Sequence, residues 1–172
     1  MPGVSVDDVR LRYTLRLGDN ALVLSQRLIE LVASGPELEE ELANANIALD
    51  YLGQARMFYS YAGELEGQGR DEDDFAFLRD APEFENVLLV EQPNGHFGDT
   101  IVRQVLFDSF YGLQLDALCH CADEGLREIC TRYGDWFEFW FDGGAHGPAQ
   151  GGPDVPISRL KRKRPRADSC GH

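Results

Sequence analysis

The sequence predicts an all-α helical bundle, on three observations. Long stretches repeat apolar residues at steps of three and four, a spacing that gathers them on one helix face. The stripes come in adjacent pairs, so each helix expects neighbours on two sides. Strong stop signals are few and fall between the stretches, Gly35-Pro36 being the clearest.

The first helix is predicted from about Asp7 to Ser34. Leu11, Leu15, Gly18, Leu22, Ser25, Ile29 and Val32 form one stripe, and Leu17, Ala21, Leu24, Leu28 and Leu31 run beside it. The second is predicted from about Pro36 to Glu66, with Glu37, Glu39, Glu40 and Glu41 complementing its N-terminal dipole. Its stripes are Leu38, Leu42, Ala45, Leu49, Leu52 and Ala48, Tyr51, Ala55, Phe58, Ala62, Leu65. The short loop between the two makes them antiparallel. A charged, turn-rich connection follows over 67–74. The apolar run Val87-Leu88-Leu89-Val90 fits a buried strand or a helical turn, and periodicity does not decide at this length. Gln92-Pro93-Asn94-Gly95 is a turn. A third long helix is predicted from about Gly98 to Cys130, with Ile101, Val105, Asp108, Gly112, Leu115 and Cys119 as its stripe. From residue 131 the composition changes: Gly and Pro supply 11 of 42 residues, and Arg159 to Arg166 is a basic run. A helical region over 1–130 and an atypical, disordered tail over 131–172 are therefore expected.

The 172 residues carry 16 basic and 30 acidic side chains, a net charge of −14. Residues 1–130 alone carry −16. Phosphate contacts dominate nucleic-acid affinity, so an acidic body excludes a nucleic-acid-binding domain. No run approaches the ~20 apolar residues that cross a bilayer, and the first thirty residues lack a signal-peptide core. A cytoplasmic protein with no membrane contact is expected. The four cysteines contain no CxxC pair, which fits reduced thiols rather than a zinc site.

Antiparallel helices with broad apolar faces raise the question of a bundle-core di-iron site. Such a site takes a Glu from each of two helices and Glu-x-x-His from each of the other two. His96, His120, His146 and His172 all lack an acid three residues earlier. The nearest approach is Asp50-Tyr51-Leu52-Gly53-Gln54, with Tyr51 and Gln54 in the ligand positions. Neither side chain ionises near neutrality, so no metal is expected. A polar pair hydrogen-bonded at a helix crossing is the plainer reading of Tyr51 and Gln54. Asp19, Asn20 and Asp108 sit among apolar stripes, and pairing with Arg16, Arg56 or Arg103 is expected because buried charges are paired. No His or Cys is placed beside them, so no catalytic residue is assigned. His120 is expected to pair locally with Asp116 or Glu124. The residues alone leave open an autonomous di-iron oxidase and an unrelated helical adaptor.

Four blocks carry a resemblance. They are Tyr13 to Asn20 with Leu24 to Leu28, Ala45 to Asp50 with Leu52 to Arg56, Phe77 to Asp80 with Phe84 to Asn86, and Leu88 to Gly95. In this order they resemble PaaC, the family of structural C subunits of ring-1,2-phenylacetyl-CoA epoxidases, over about residues 10–129. The resemblance implies a ferritin-like fold without metal and a partnership with the catalytic A subunit, which holds the di-iron centre. It also implies a role in phenylacetate catabolism as a non-catalytic part of an aromatic-ring monooxygenase complex. Other subunits of that complex are implied partners, with phenylacetyl-CoA at the interface. The segment matching Glu83, Phe84, Glu85 and Asn86 is implied to contact substrate, although two carboxylates there would repel a CoA phosphate. Residues 131–172 match nothing in the family and read as a truncation or a shifted frame.

Overall fold

The computed structural model describes residues 5–32 and 37–139. Helix α1 (Val6–Ile29) opens on a reciprocal cap. The Ser5 hydroxyl accepts the Asp8 amide at 3.1 Å, and the Asp8 carboxylate accepts the Ser5 amide at 3.2 Å. Helix α2 (Leu38–Glu66) closes on Gly67 in the left-handed region, φ 67°, whose amide reaches the Gly63 carbonyl at 3.0 Å. The two are antiparallel: Ser25 donates to the Ala48 carbonyl at 2.7 Å, Tyr59 to Asp19 and Arg10 to Tyr61. They cross closely at Gly18, where an added Cβ would lie 2.6 Å from Tyr59 Cε1.

A long crossover follows. It contains α3 (Glu72–Phe77), a 3-10 turn at Ala81–Glu83 and the single turn α4 (Leu88–Glu91). Leu88 to Val90 is thus helical rather than a strand, with Val87 as the extended residue before the turn, and no strand exists among the described residues for it to pair with. Helix α5 (Phe97–Leu118) then runs parallel to α2. Tyr51 meets Gln104 and Asp108, and Gln54 meets Tyr111, so the residue numbers rise together along the pair. An antiparallel hairpin followed by a long crossover into a parallel helix is the connectivity of a ferritin-like bundle, and the chain has that all-α fold.

The helix expected over Gly98–Cys130 is two helices. It stops after Leu118, turns through 119–123, and α6 (Glu124–Phe139) starts anew. Asp123 causes the restart: its Oδ1 accepts the Leu126 amide at 2.8 Å, satisfying a donor of the first turn. The same carboxylate bonds Tyr61 at 2.8 Å and pairs with Arg10, tying the corner to α2 and α1. Gly125 lies so close to the Tyr61 ring that a Cβ would overlap it, and Gly53 faces Tyr133, so α6 runs antiparallel to α2 as a fourth bundle helix. It crosses the boundary expected at 130/131. The rest of the expected tail, 140–172, lies outside the described residues.

The core sits between α1, α2, α5 and α6. Leu17, Ala21, Leu24 and Leu28 meet Ala48, Tyr51, Ala55, Phe58 and Tyr59, with Phe107, Tyr111, Leu115, Leu126 and Ile129 behind them. The α5 stripe is not the expected one. Its buried face is Thr100, Arg103, Gln104, Phe107, Tyr111 and Leu115, whereas Ile101, Val102, Val105, Leu106, Phe110 and Leu113 are exposed. Leu38, Leu42, Leu49 and Leu52 of α2 are exposed as well. None of the described helices is long and apolar enough to cross a membrane.

Candidate functional site

Two polar clusters are built into the interior. The first lies on the α2–α5 seam and contains Tyr51 and Gln54. Helical spacing puts Tyr51, Gln54, Ala55 and Phe58 on the face turned to α5. Tyr51 donates its hydroxyl to the Asp108 carboxylate. Gln104 Nε2 donates to Asp108 Oδ1 at 2.8 Å and to the Tyr51 oxygen at 3.1 Å. Beyond it, Tyr111 donates to Gln54 Oε1 at 2.9 Å. The rings of Phe107 and Tyr111 stack at 5.1 Å, and Phe107 meets Tyr51 edge-on at 6.0 Å.

Burial dominates the electrostatics. It lifts the Tyr51 and Tyr111 hydroxyls well above their usual range, so both stay protonated. It also pushes the Asp108 carboxyl up to about 6, against the bonds from Tyr51 and Gln104, which favour the anion. The hydrogen-bonded reading of Tyr51 and Gln54 therefore describes the site. The Arg partner expected for Asp108 does not; its partners are a phenol and an amide. The donor set is two phenols, two amides and one carboxylate. Among the described residues no group of three His, Cys, Asp or Glu side chains could hold a metal ion.

The second cluster centres on Asp19, which is fully buried. Its partner is Arg79 of the crossover, not Arg16, Arg56 or Arg103. Tyr59 donates to Asp19 Oδ1 at 2.7 Å, and the Glu85 amide donates to Oδ2 at 2.9 Å. Arg79 also donates to the Phe75 carbonyl at 2.7 Å and lies 4.2 Å from the Phe84 ring centroid, so the guanidinium is stacked as well as paired. The neighbouring Asn20 accepts the Val87 amide at 2.8 Å. Consecutive polar side chains of α1 thus hold the backbone of residues 85–87. No spacing rule finds Arg79, because its partner is sixty residues away and the intervening path is irregular.

This cluster fixes the segment expected to meet substrate. Glu83 is exposed and its carboxylate accepts the Asp80 amide at 2.6 Å. Phe84 is half-buried beneath Arg79. Glu85 pairs with Arg12 at 2.6 Å, and Asn86 donates to Glu91 at 2.8 Å. Both Glu85 and Asn86 therefore already have partners within the chain. His120 is exposed and its Nδ1 sits 2.9 Å from the Asp116 carbonyl, in place of the expected ion pair. His96 caps α5, accepting the Gly98 amide at 3.1 Å. Cys119, Cys121 and Cys130 are free thiols, and burial pushes Cys130 up to about 12.

Residues 4–138 match the family model described as phenylacetic acid catabolic protein. Over 120 residues the chain is 57% identical to the C subunit of the 1,2-phenylacetyl-CoA epoxidase of Escherichia coli (strain K12). That match covers 70% of this chain and 48% of the relative, so the chain spans about half the relative's length. A family match of this extent, on a ferritin-like backbone, places the chain in the phenylacetic acid catabolic protein family.

Proposed function

We propose that the chain is a non-catalytic structural subunit of a multicomponent phenylacetyl-CoA epoxidase, supporting a di-iron catalytic A subunit in phenylacetate degradation. The observation that carries this reading is the donor set of the α2–α5 seam. Tyr51, Gln54, Gln104 and Tyr111 offer neutral oxygens and amides, and Asp108 is the one carboxylate among them. Ferrous iron in such bundles takes several carboxylates and imidazoles, so the iron belongs to the partner. The exposed aliphatic faces of α5 and α2 support an assembly, since contiguous apolar surface marks an interaction site.

The test is to co-express the chain with the A subunit of the same system and measure co-elution and iron content. Co-elution is expected, with all the iron following the A subunit. Stoichiometric iron in the isolated, tag-free chain would overturn the reading. Within it, residues Glu83 to Asn86 are a proposed substrate contact. Phe84→Ala or Asn86→Ala should raise the KM for phenylacetyl-CoA in the assembled complex without changing co-elution.

A further inference from the structure

The α2–α5 seam continues past the Tyr51–Asp108 cluster toward the start of both helices. The two helices are parallel, and their register is set by Tyr51 with Gln104 and Asp108. Asn44 lies two turns before Tyr51, on the same face of α2, and Thr100 one turn before Gln104 on α5. Parallel register therefore carries Asn44 and Thr100 to the same level of the seam. Asn44, Thr100 and Gln104 are 5%, 1% and 8% exposed. Each keeps a buried polar atom with no partner among the described residues: Asn44 Nδ2, Thr100 Oγ1 and Gln104 Oε1.

The orientation of Gln104 is fixed by its neighbours. Its Nε2 already donates to Asp108 and to Tyr51. Turned over, the amide would set an oxygen against the carboxylate, so the orphan is an acceptor. The three groups are then a donor, an acceptor and a hydroxyl that can be either. A cation would need acceptors alone and would face the Asn44 N–H groups. An anion would need donors alone and would approach Gln104 Oε1 and the Asp108 carboxylate. A molecule that both donates and accepts satisfies all three, and buried polar groups of this kind are normally completed by ordered water.

We propose that the N-terminal half of the α2–α5 seam is an internal water site, in which at least one ordered water bonds Thr100 Oγ1 and Gln104 Oε1 and is reached by Asn44 Nδ2. The site extends the Tyr51–Gln104–Asp108 network into a polar strip along the α2–α5 seam. Gln104 is the link, since one end of its amide serves the cluster and the other serves the water.

A crystal structure of the full chain, alone or in its complex, gives the first readout. A density peak is expected within about 3.2 Å of both Thr100 Oγ1 and Gln104 Oε1. The second is the urea midpoint of Thr100→Val, which keeps the shape and removes the hydroxyl. A hydrated site loses a water partner, so the midpoint should fall. A dry site exchanges an unpaired hydroxyl for a methyl, so the midpoint should rise. An empty seam, a rising midpoint, or a peak at metal-ligand distances would each overturn the proposal. Should the variant fail to fold, the density in the unaltered chain decides alone.

Discussion

Asp108 is the carboxylate that the interior holds against its preference. Burial lifts it to about 6, above the ordinary carboxylate value near 3.9. A group with a raised native pKa binds more protons folded than unfolded between those values. Its protonated form therefore favours the fold, and that contribution is lost as pH rises from about 4 to 6. The loss is at most about 3 kcal/mol, at 1.36 kcal/mol per unit. Asp108→Asn should melt close to the unaltered chain at pH 4 and above it at pH 8. A difference in melting temperature that stays flat over that range would contradict the assignment. Asp19 forms an ion pair with Arg79, and both side chains are buried. Asp19→Asn leaves a buried guanidinium without its counter-charge and should cost about 3–5 kcal/mol in urea titration. The double change Asp19→Leu with Arg79→Met should cost less than either single change, since no uncompensated charge remains. At this scale the sequence was legible where a local rule applied. Tyr51 and Gln54 are recognisable from their spacing as two neutral polar residues on one face of α2. The Asp19 partner was not, because Arg79 is delivered by a crossover whose path no periodicity encodes.

Among the elements, α2 buries its Ala48–Tyr51–Ala55–Phe58–Ala62 stripe and leaves Leu38, Leu42, Leu49 and Leu52 of the other exposed, and the helix break at 119–123 was readable but outweighed. Leu115 and Cys119 extend the three-and-four spacing of α5, and that continuity hides the Asp123 cap behind it. Asp123→Ala should cost roughly 1–2 kcal/mol through the lost cap alone. It should also free Arg10 and Tyr61, so proteolysis at the α5–α6 corner should quicken. An unchanged cleavage rate would count against the corner's role. The inner face of α5 is hidden in the sequence for a related reason. Aliphatic residues surround this helix on most sides, so hydropathy does not single out an inner face. The choice is made by partners: Arg103 donates to the Gln92 carbonyl at 2.7 Å and to Asn94 at 2.8 Å, and Gln104 meets Tyr51. Arg103 and Gln104 go in on these bonds, and Ile101, Val102, Val105 and Leu106 beside them stay out.

For the molecule as a whole, the outer faces of α5 and α2 leave aliphatic side chains uncovered. Ile101, Val102, Val105, Leu106, Phe110 and Leu113 lie on one helix, and Leu38, Leu42, Leu49 and Leu52 on another. Burial of apolar surface contributes about 25 cal/mol per Å², so a partner covering them gains substantially. Replacing Val102, Leu106 and Leu113 with Gln should raise the soluble, monomeric fraction of the isolated chain. If the proposed assembly holds, the same change should weaken co-elution with the A subunit, both read by size-exclusion chromatography. Improved solubility with unchanged co-elution would place the docking face elsewhere. The broad double stripes made an incomplete burial of apolar surface legible in the sequence. Which face stays open is a property of the assembled bundle, and only the packing of α5 reveals it.

The crossover's attachment to α1 also has a kinetic consequence. The amides of Glu85 and Val87 donate to Asp19 and Asn20, across 66 and 67 residues of chain. Contacts at such separation form late, after the α1–α2 hairpin has a core to dock against. They can also open without unfolding that hairpin. Deuterium should therefore enter Glu85 and Val87 ahead of the hairpin amides, and Asp19→Asn should speed that entry at both positions together. The crossover would then breathe as one cooperative unit, with Asp19 as its latch.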